Sequence, residues 1–142
     1  MSRDIQWAVI NKTSSFRRVQ RNVKQPFSSE RLNLKNVHSP RYSGLINAKA
    51  VGVEADKSGK GIVLAYKKRG AQNKPRDALV TVSLKKHDRK TQATVAGFVS
   101  GYRPALERVA KKRASQLCRA QRPISAKRLR KINKNKKRTG AA

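Results

Sequence analysis

Three short apolar runs in the middle of the chain carry the clearest periodicity. Ala50–Val53 and Ile62–Tyr66 flank a polar segment containing Gly59 and Gly61. Short β-branched runs around a glycine-containing turn predict a β-hairpin, here with a loop longer than the two-residue type. A third run, Ala78 to Leu84, alternates. Val80, Val82 and Leu84 point one way, and Leu79, Thr81 and Ser83 the other. Together the runs predict a small antiparallel sheet with one apolar face.

The segments around this sheet follow other patterns. Ser2 is positioned to cap a short helix over Arg3–Ile10, in which Ile5, Trp7, Val9 and Ile10 are apolar. That neighbourhood predicts Trp7 as a core anchor under the sheet, against the alternative of a ring that stacks on a base. Asn11–Ser15 reads as a polar break, and Phe16–Val19 as a strand with Phe16 and Val19 inward. Gln25 to Ser43, polar with Pro26 and Pro40, reads as a long irregular loop, a type that is functional or disordered. From Thr91 to Gly101, Val95, Phe98, Val99 and then Tyr102 recur at helical spacing, with Gly101 expected to end the helix. Pro104 opens the next helix, which extends to about Arg119. Leu106, Val109, Ala110, Leu117 and Cys118 lie on or near one face of it; Arg108, Lys111, Lys112, Ser115 and Arg119 hold the other.

The predicted fold is therefore α+β: a small antiparallel sheet covered by helices, with a C-terminal basic helix and an extended basic tail. Residues 1–102 form the predicted domain, 103–121 the helix packed on or beside it, and 122–142 the tail. The tail is expected to lack a stable fold in the free protein, because Ile124, Leu129 and Ile132 are its only large apolar residues among dense cations.

Charge changes the picture from a fold to a partner. The 142 residues carry 36 Lys+Arg against 7 Asp+Glu, a formal net charge of +29. Such a charge opposes compaction until a polyanion neutralises it. The cations gather where strands end: Arg17, Arg18, Arg21 and Lys24; Lys67, Lys68, Arg69, Lys74 and Arg76; then Lys85, Lys86, Arg89 and Lys90. The long loop adds Arg31, Lys35, Arg41 and Tyr42, the last a candidate stacking ring. The helix adds Lys111, Lys112 and Arg119, and the tail Lys127, Arg128, Arg130 and Lys131. A scaffold that aims cations from loop ends is suited to a nucleic-acid backbone. Lys and Arg do not by themselves distinguish RNA from DNA.

Other chemistries find little support. His38 and His87 stand apart with no cysteine pair near either, so no zinc site is expected. Ser58-Gly59-Lys60-Gly61 fails the phosphate-loop pattern, since Gly52 lies too far upstream and Gly61 replaces the Ser/Thr. The acids form no acid–base pair; neither an enzyme, a cofactor nor a small-molecule substrate is expected. No apolar run approaches the roughly 18 residues of a membrane span, and Met-Ser-Arg-Asp-Ile-Gln-Trp lacks the apolar core of a signal peptide. The lone Cys118 fits a reducing compartment, cytosol or nucleus.

An ordered set of short motifs then narrows the class. Gln6-Trp7, Val9-Ile10-Asn11, Ser14-Ser15-Phe16, Asn33-Leu34-Lys35, Arg41-Tyr42, Gly44-Leu45-Ile46, Val51-Gly52-Val53-Glu54, Gly59-Lys60-Gly61 and Tyr102-Arg103-Pro104 occur in sequence over nearly the whole chain. The set resembles the family of ribosomal protein twenty-eight of the eukaryotic cytosolic large subunit. Arg17–Gln25 departs from that pattern by being longer and more basic, and the tail is similar only in composition. The resemblance implies a structural, non-catalytic protein bound to large-subunit ribosomal RNA beside neighbouring ribosomal proteins. It implies residence in the cytosolic ribosome after nucleolar passage, with Arg41, Tyr42 and Arg103 best suited to touch RNA. A nucleolar ribosome-assembly factor that shares the Gln-Trp-x-Val-Ile-Asn start is the alternative. A histone-type protein, which wants three consecutive amphipathic helices, and a membrane-active cationic protein rank below it.

Overall fold

The computed structural model describes residues 2–71, 74, 76–126, 128–130 and 133. The predicted sheet forms as expected. β3 (Val51–Ala55), β4 (Ile62–Lys67) and β5 (Leu79–Leu84) are antiparallel in the order β3-β4-β5. The register pairs Val53 with Leu64 and Leu64 with Val82, so the alternation read from the sequence sets the faces. Val51, Val53, Ile62, Leu64 and Leu84 meet the helices in one core. At the edge of the sheet, Val82 keeps 40% of its surface exposed.

Two helices cover that face. α2 (Asp88–Tyr102) contributes the buried Thr91, Val95 and Val99, and runs one residue past Gly101. A 3-10 turn, Pro104–Leu106, leads into α3 (Glu107–Ala120), whose Ala110, Ala114 and Cys118 are buried. Small residues every four positions let α3 lie close to α2 and β3, while its basic side stays in water. Cys118 packs there as a small apolar group, and burial raises its thiol pKa. Gln121 then clasps the hairpin: it accepts a bond from Gly61 N–H (3.0 Å) and donates one to Gly61 C=O (2.7 Å). Gly61 sits at φ +88°, and a Cβ there would lie 2.5 Å from Leu84 O.

The opposite face is covered by the segment expected to be a long loop. It is irregular, but much of it is buried: Ser28, Glu30, Leu32, Asn33, Leu34, His38 and Ser43, with Ile46 and Asn47 just after it. Leu32 packs with Ala50 and Ala65 on the far face, whereas Leu34 joins the helix-side core, so the chain wraps the β3 edge between them. Side-chain bonds to backbone replace periodic ladders here. Asn33 Nδ2 donates to Val37 O (2.9 Å), and Asn47 Nδ2 donates to Pro40 O (2.8 Å) and Ser43 O (2.7 Å). The buried Glu30 carboxylate accepts from Ser43 Oγ and from Gly44 N–H (2.6 Å).

The N-terminal expectations need correction. α1 (Arg3–Thr13) absorbs part of the polar break and ends where Ser14 N–H bonds Ile10 O. It buries no residue fully, and Ile5 and Val9 remain 58% and 64% exposed. Trp7 does not anchor the sheet. It packs against the His38 ring (4.8 Å between centroids), and His38 Nε2 donates to Asn11 O (2.9 Å). Nor do Phe16 and Val19 point inward. β1 (Arg17–Arg18) is only two residues long and pairs with β2 (Phe27–Ser28) in a sheet separate from β3–β5, and Phe16 and Val19 stay 40% and 68% exposed. Trp7→Ala is therefore expected to cost on the order of 1–2 kcal/mol, below the roughly 3–5 typical of a fully buried aromatic. Hydrogen exchange should show α1 loosened and the β3–β5 amides still protected.

Candidate nucleic-acid interface

The cations form separate surfaces around the domain. Along α3, Arg108, Lys111, Lys112 and Arg119 are exposed. Residues four apart stack on one side of a helix, so Arg108 and Lys112 form a cationic ladder. Lys35 reaches the same place from the wrapped segment. With Leu34, Val109, Arg113 and Gln116, these three cations line a shallow cleft of about 490 Å³. Lys35 Nζ also lies 5.1 Å from the Tyr42 ring centroid, and Arg41 Cζ 5.9 Å from it. Tyr42 is thus packed against the core on one side and beside cations on the other. Its ring is a cation platform in this arrangement rather than an open stacking surface.

Arg113 was missed by the sequence reading. It lies next to Lys112 but on the flank of α3, half-buried, and its Nε is buried with no hydrogen-bond partner. Only the approach of the wrapped segment to α3 makes that flank a cleft wall.

A second surface lies at the β4–β5 connection. Lys68, Arg69, Lys74 and Arg76 are exposed around a concavity that also includes Leu79 and Asp77. A third runs along β1 and the turn after it, where Arg18, Arg21 and Lys24 are exposed and Arg17 is half-buried with an unpartnered Nε.

Two candidate cations have internal partners that the sequence did not reveal. Lys67 Nζ donates to Leu45 O (3.2 Å) and Asn47 O (3.1 Å), and burial lowers its pKa. Arg103 donates to Lys49 O (3.0 Å), Arg41 O (3.0 Å) and Asn47 Oδ1 (3.4 Å), and burial lowers its pKa as well. Both tie the wrapped segment to the sheet and helices. Tyr102 adds a bond from its hydroxyl to Lys67 O (2.7 Å).

At the end of α3 the first residues of the basic tail are docked. Arg122 is paired with Asp88 at the start of α2, and Arg122 lowers the pKa of that carboxyl. Arg128 and Leu129 N–H both bond Ser125 O, making a helical turn; Arg128 and Arg130 are exposed. Lys127 and Lys131 lie outside the described residues, as do 134–142.

The acids leave these surfaces cationic. Glu54 pairs with Arg31 (2.9 Å), Asp56 approaches Lys85 (3.9 Å), Asp88 pairs with Arg122, and Glu30 is buried. No acid lines the α3 cleft. Among the described residues no cluster suits a metal ion, and no helix is long and apolar enough to cross a membrane.

The model of the Ribosomal L28e protein family matches residues 5–120. Large ribosomal subunit protein eL28 of Caenorhabditis elegans is 36% identical over 124 residues, covering 85% of this chain and 91% of that protein. The protein of the same name from Schizosaccharomyces pombe is 35% identical over 133 residues, covering 87% and 95%. The matched span begins within α1 and ends at the last residue of α3, so it takes in the sheet, its helical cover, the wrapped segment and the α3 cleft, and on this ground the chain belongs to the Ribosomal L28e family.

Proposed function

We propose that this protein holds large-subunit ribosomal RNA in place by docking several separate basic surfaces of one small rigid domain on the RNA backbone. As a member of its family it is a ribosomal protein of the large subunit, a structural component rather than an enzyme. The observation that carries the reading is the α3 cleft. It brings Lys35 beside Arg108, Lys112 and Arg113, with no acid in its lining. Cations converging from distant parts of a chain repel one another unless an anion joins them, and a phosphate backbone supplies anions at regular spacing. The β4–β5 loop and the β1 turn would engage other strands, so RNA segments remote in sequence are tied together. Neighbouring large-subunit proteins complete the environment. The place of work is the cytosolic ribosome, reached after assembly in the nucleolus.

The cleft is tested by the triple variant Lys35→Gln, Arg108→Gln, Lys112→Gln. These side chains are exposed, so the fold should survive. Filter binding to large-subunit RNA fragments should show affinity lost across all fragments that wild type binds, with a salt slope shallower by about 2–3. Unchanged affinity and slope would remove the cleft from the interface.

A further inference from the structure

On the sheet face opposite the helices lies a pocket of about 380 Å³, within the roughly 300–1,000 Å³ of small-ligand sites. Phe16, Leu32, Leu45 and Leu79 form its walls. Phe16, Leu45 and Leu79 leave 40%, 49% and 42% of their surface exposed, so the apolar lining is open at its rim. The Phe16 backbone is held in place, because Ser29 N–H (3.0 Å) and Ser29 Oγ (3.3 Å) both donate to Phe16 O. Gly44 closes the pocket from the wrapped segment, where a Cβ would lie 2.5 Å from Leu32 Cβ.

The side chains with polar ends in the lining are Glu30, Arg31 and Lys67. Lys67 carries three N–H bonds, of which two are directed to Leu45 O and Asn47 O; one remains. Arg31 Nε is held by Glu54 (2.9 Å), outside the lining, so its head group is engaged away from the pocket. The Glu30 carboxylate already accepts from Ser43 and Gly44. Lining residues are followed or preceded in the chain by exposed cations: Arg18 after Phe16, Lys68 after Lys67, and Arg76 before Ala78. At Leu79 the pocket adjoins the basic concavity of the β4–β5 loop.

We propose that this pocket receives one unstacked RNA base. The inference rests on the RNA-binding reading and adds to it a site that reads a base rather than the backbone. Single-stranded RNA is recognised by splaying bases onto aromatic side chains and bonding their edges. Here Phe16 offers the ring, the remaining Lys67 N–H offers a donor to an acceptor on the base edge, and the nearby cations hold the flanking phosphates. An apolar side chain from a neighbouring protein would fill the walls but leave the remaining Lys67 N–H and the surrounding cations unmatched.

The test uses the full chain and five RNA hairpins that differ only in a single bulged nucleotide: G, U, A, C or abasic. Binding is followed by fluorescence anisotropy at one fixed salt concentration. Each of the four bulged bases should bind about fivefold or more tighter than the abasic hairpin. Phe16→Ala should abolish the preference while leaving abasic affinity and the salt slope intact. Leu45→Trp, which fills the pocket from its exposed rim, should do the same. Equal affinity for all five hairpins, or a preference that survives Phe16→Ala, overturns the base pocket and leaves the site to an apolar side chain of a partner protein. Failure to bind any hairpin at low salt overturns the RNA reading and this proposal with it.

Discussion

Gly52→Ala is expected to destroy the native fold. Gly52 lies in β3, beneath the segment that wraps the sheet edge. A Cβ at this position would sit 2.3 Å from Arg31 O and 3.2 Å from Leu32 Cα. The obstacle is backbone rather than a side chain with a rotamer to spare, so the whole segment would have to lift. Lifting it withdraws Leu32 from Ala50 and Ala65, and Leu34 from the main core. It also breaks the Lys67 and Arg103 ties to that segment. Losses of this kind exceed about 4–5 kcal/mol. A small domain has only about 5–15 kcal/mol in all, and a charge of +29 lowers that further in the free protein. Urea unfolding should show no cooperative transition at low salt. Gly97→Ala is the control: nothing lies within 4 Å of a Cβ there, and an alanine in the α2 interior should raise stability by up to about 1 kcal/mol. A normal transition in Gly52→Ala would mean that the segment does not lie on the sheet.

RNA affinity is expected to collapse with salt. If about eight phosphates are neutralised, the log–log slope is roughly −6 for single strands and about −7 for duplex. Contacts in that range lose about 10³–10⁵ in affinity between 50 and 200 mM salt. Lys67 and Arg103 are expected to add little to the slope, since their donors are directed inward. The exposed Lys68, Arg69, Lys74 and Arg76, with the α3 cations, carry it. Truncation after Ser125 should make the slope shallower and leave the domain folded, because Gln121 and Arg122 keep their bonds to Gly61 and Asp88. A slope near zero would mean that the charges serve something other than phosphate.

The parts of this molecule readable from sequence are those with a period. The apolar runs at Ala50–Val53, Ile62–Tyr66 and Ala78–Leu84 announced three strands, the last with its faces, and Val95, Val99 and Ala110 their helices. Residues 28–47 have no period, because Asn33, Asn47 and Glu30 fold them by bonding backbone across short loops. Polarity there signalled a solvent loop, whereas the polar groups are satisfied inside. Trp7 misled for the opposite reason. Its apolar neighbours Ile5 and Val9 suggested burial, but they stay exposed, and the indole packs on the His38 ring instead of under the sheet. The basic surfaces were readable as clusters, since loops that collect Lys and Arg are exposed for electrostatic reasons. What joins Lys35 to Arg108 and Arg113 was not readable, because more than seventy residues separate them and only the wrap brings them together. Lys67 and Arg103 looked like their neighbours in sequence; only the carbonyls placed around them tell them apart.

The central claim is that this chain is an RNA-bound part of the finished large subunit, and sedimentation of the tagged protein through a sucrose gradient tests it most directly. The tagged chain should travel with mature large subunits and with translating ribosomes. It should leave them when salt is raised far enough to screen phosphate contacts, and after RNase digestion. Confinement to nuclear precursor particles, with none on translating ribosomes, would contradict the claim and make the chain an assembly factor instead.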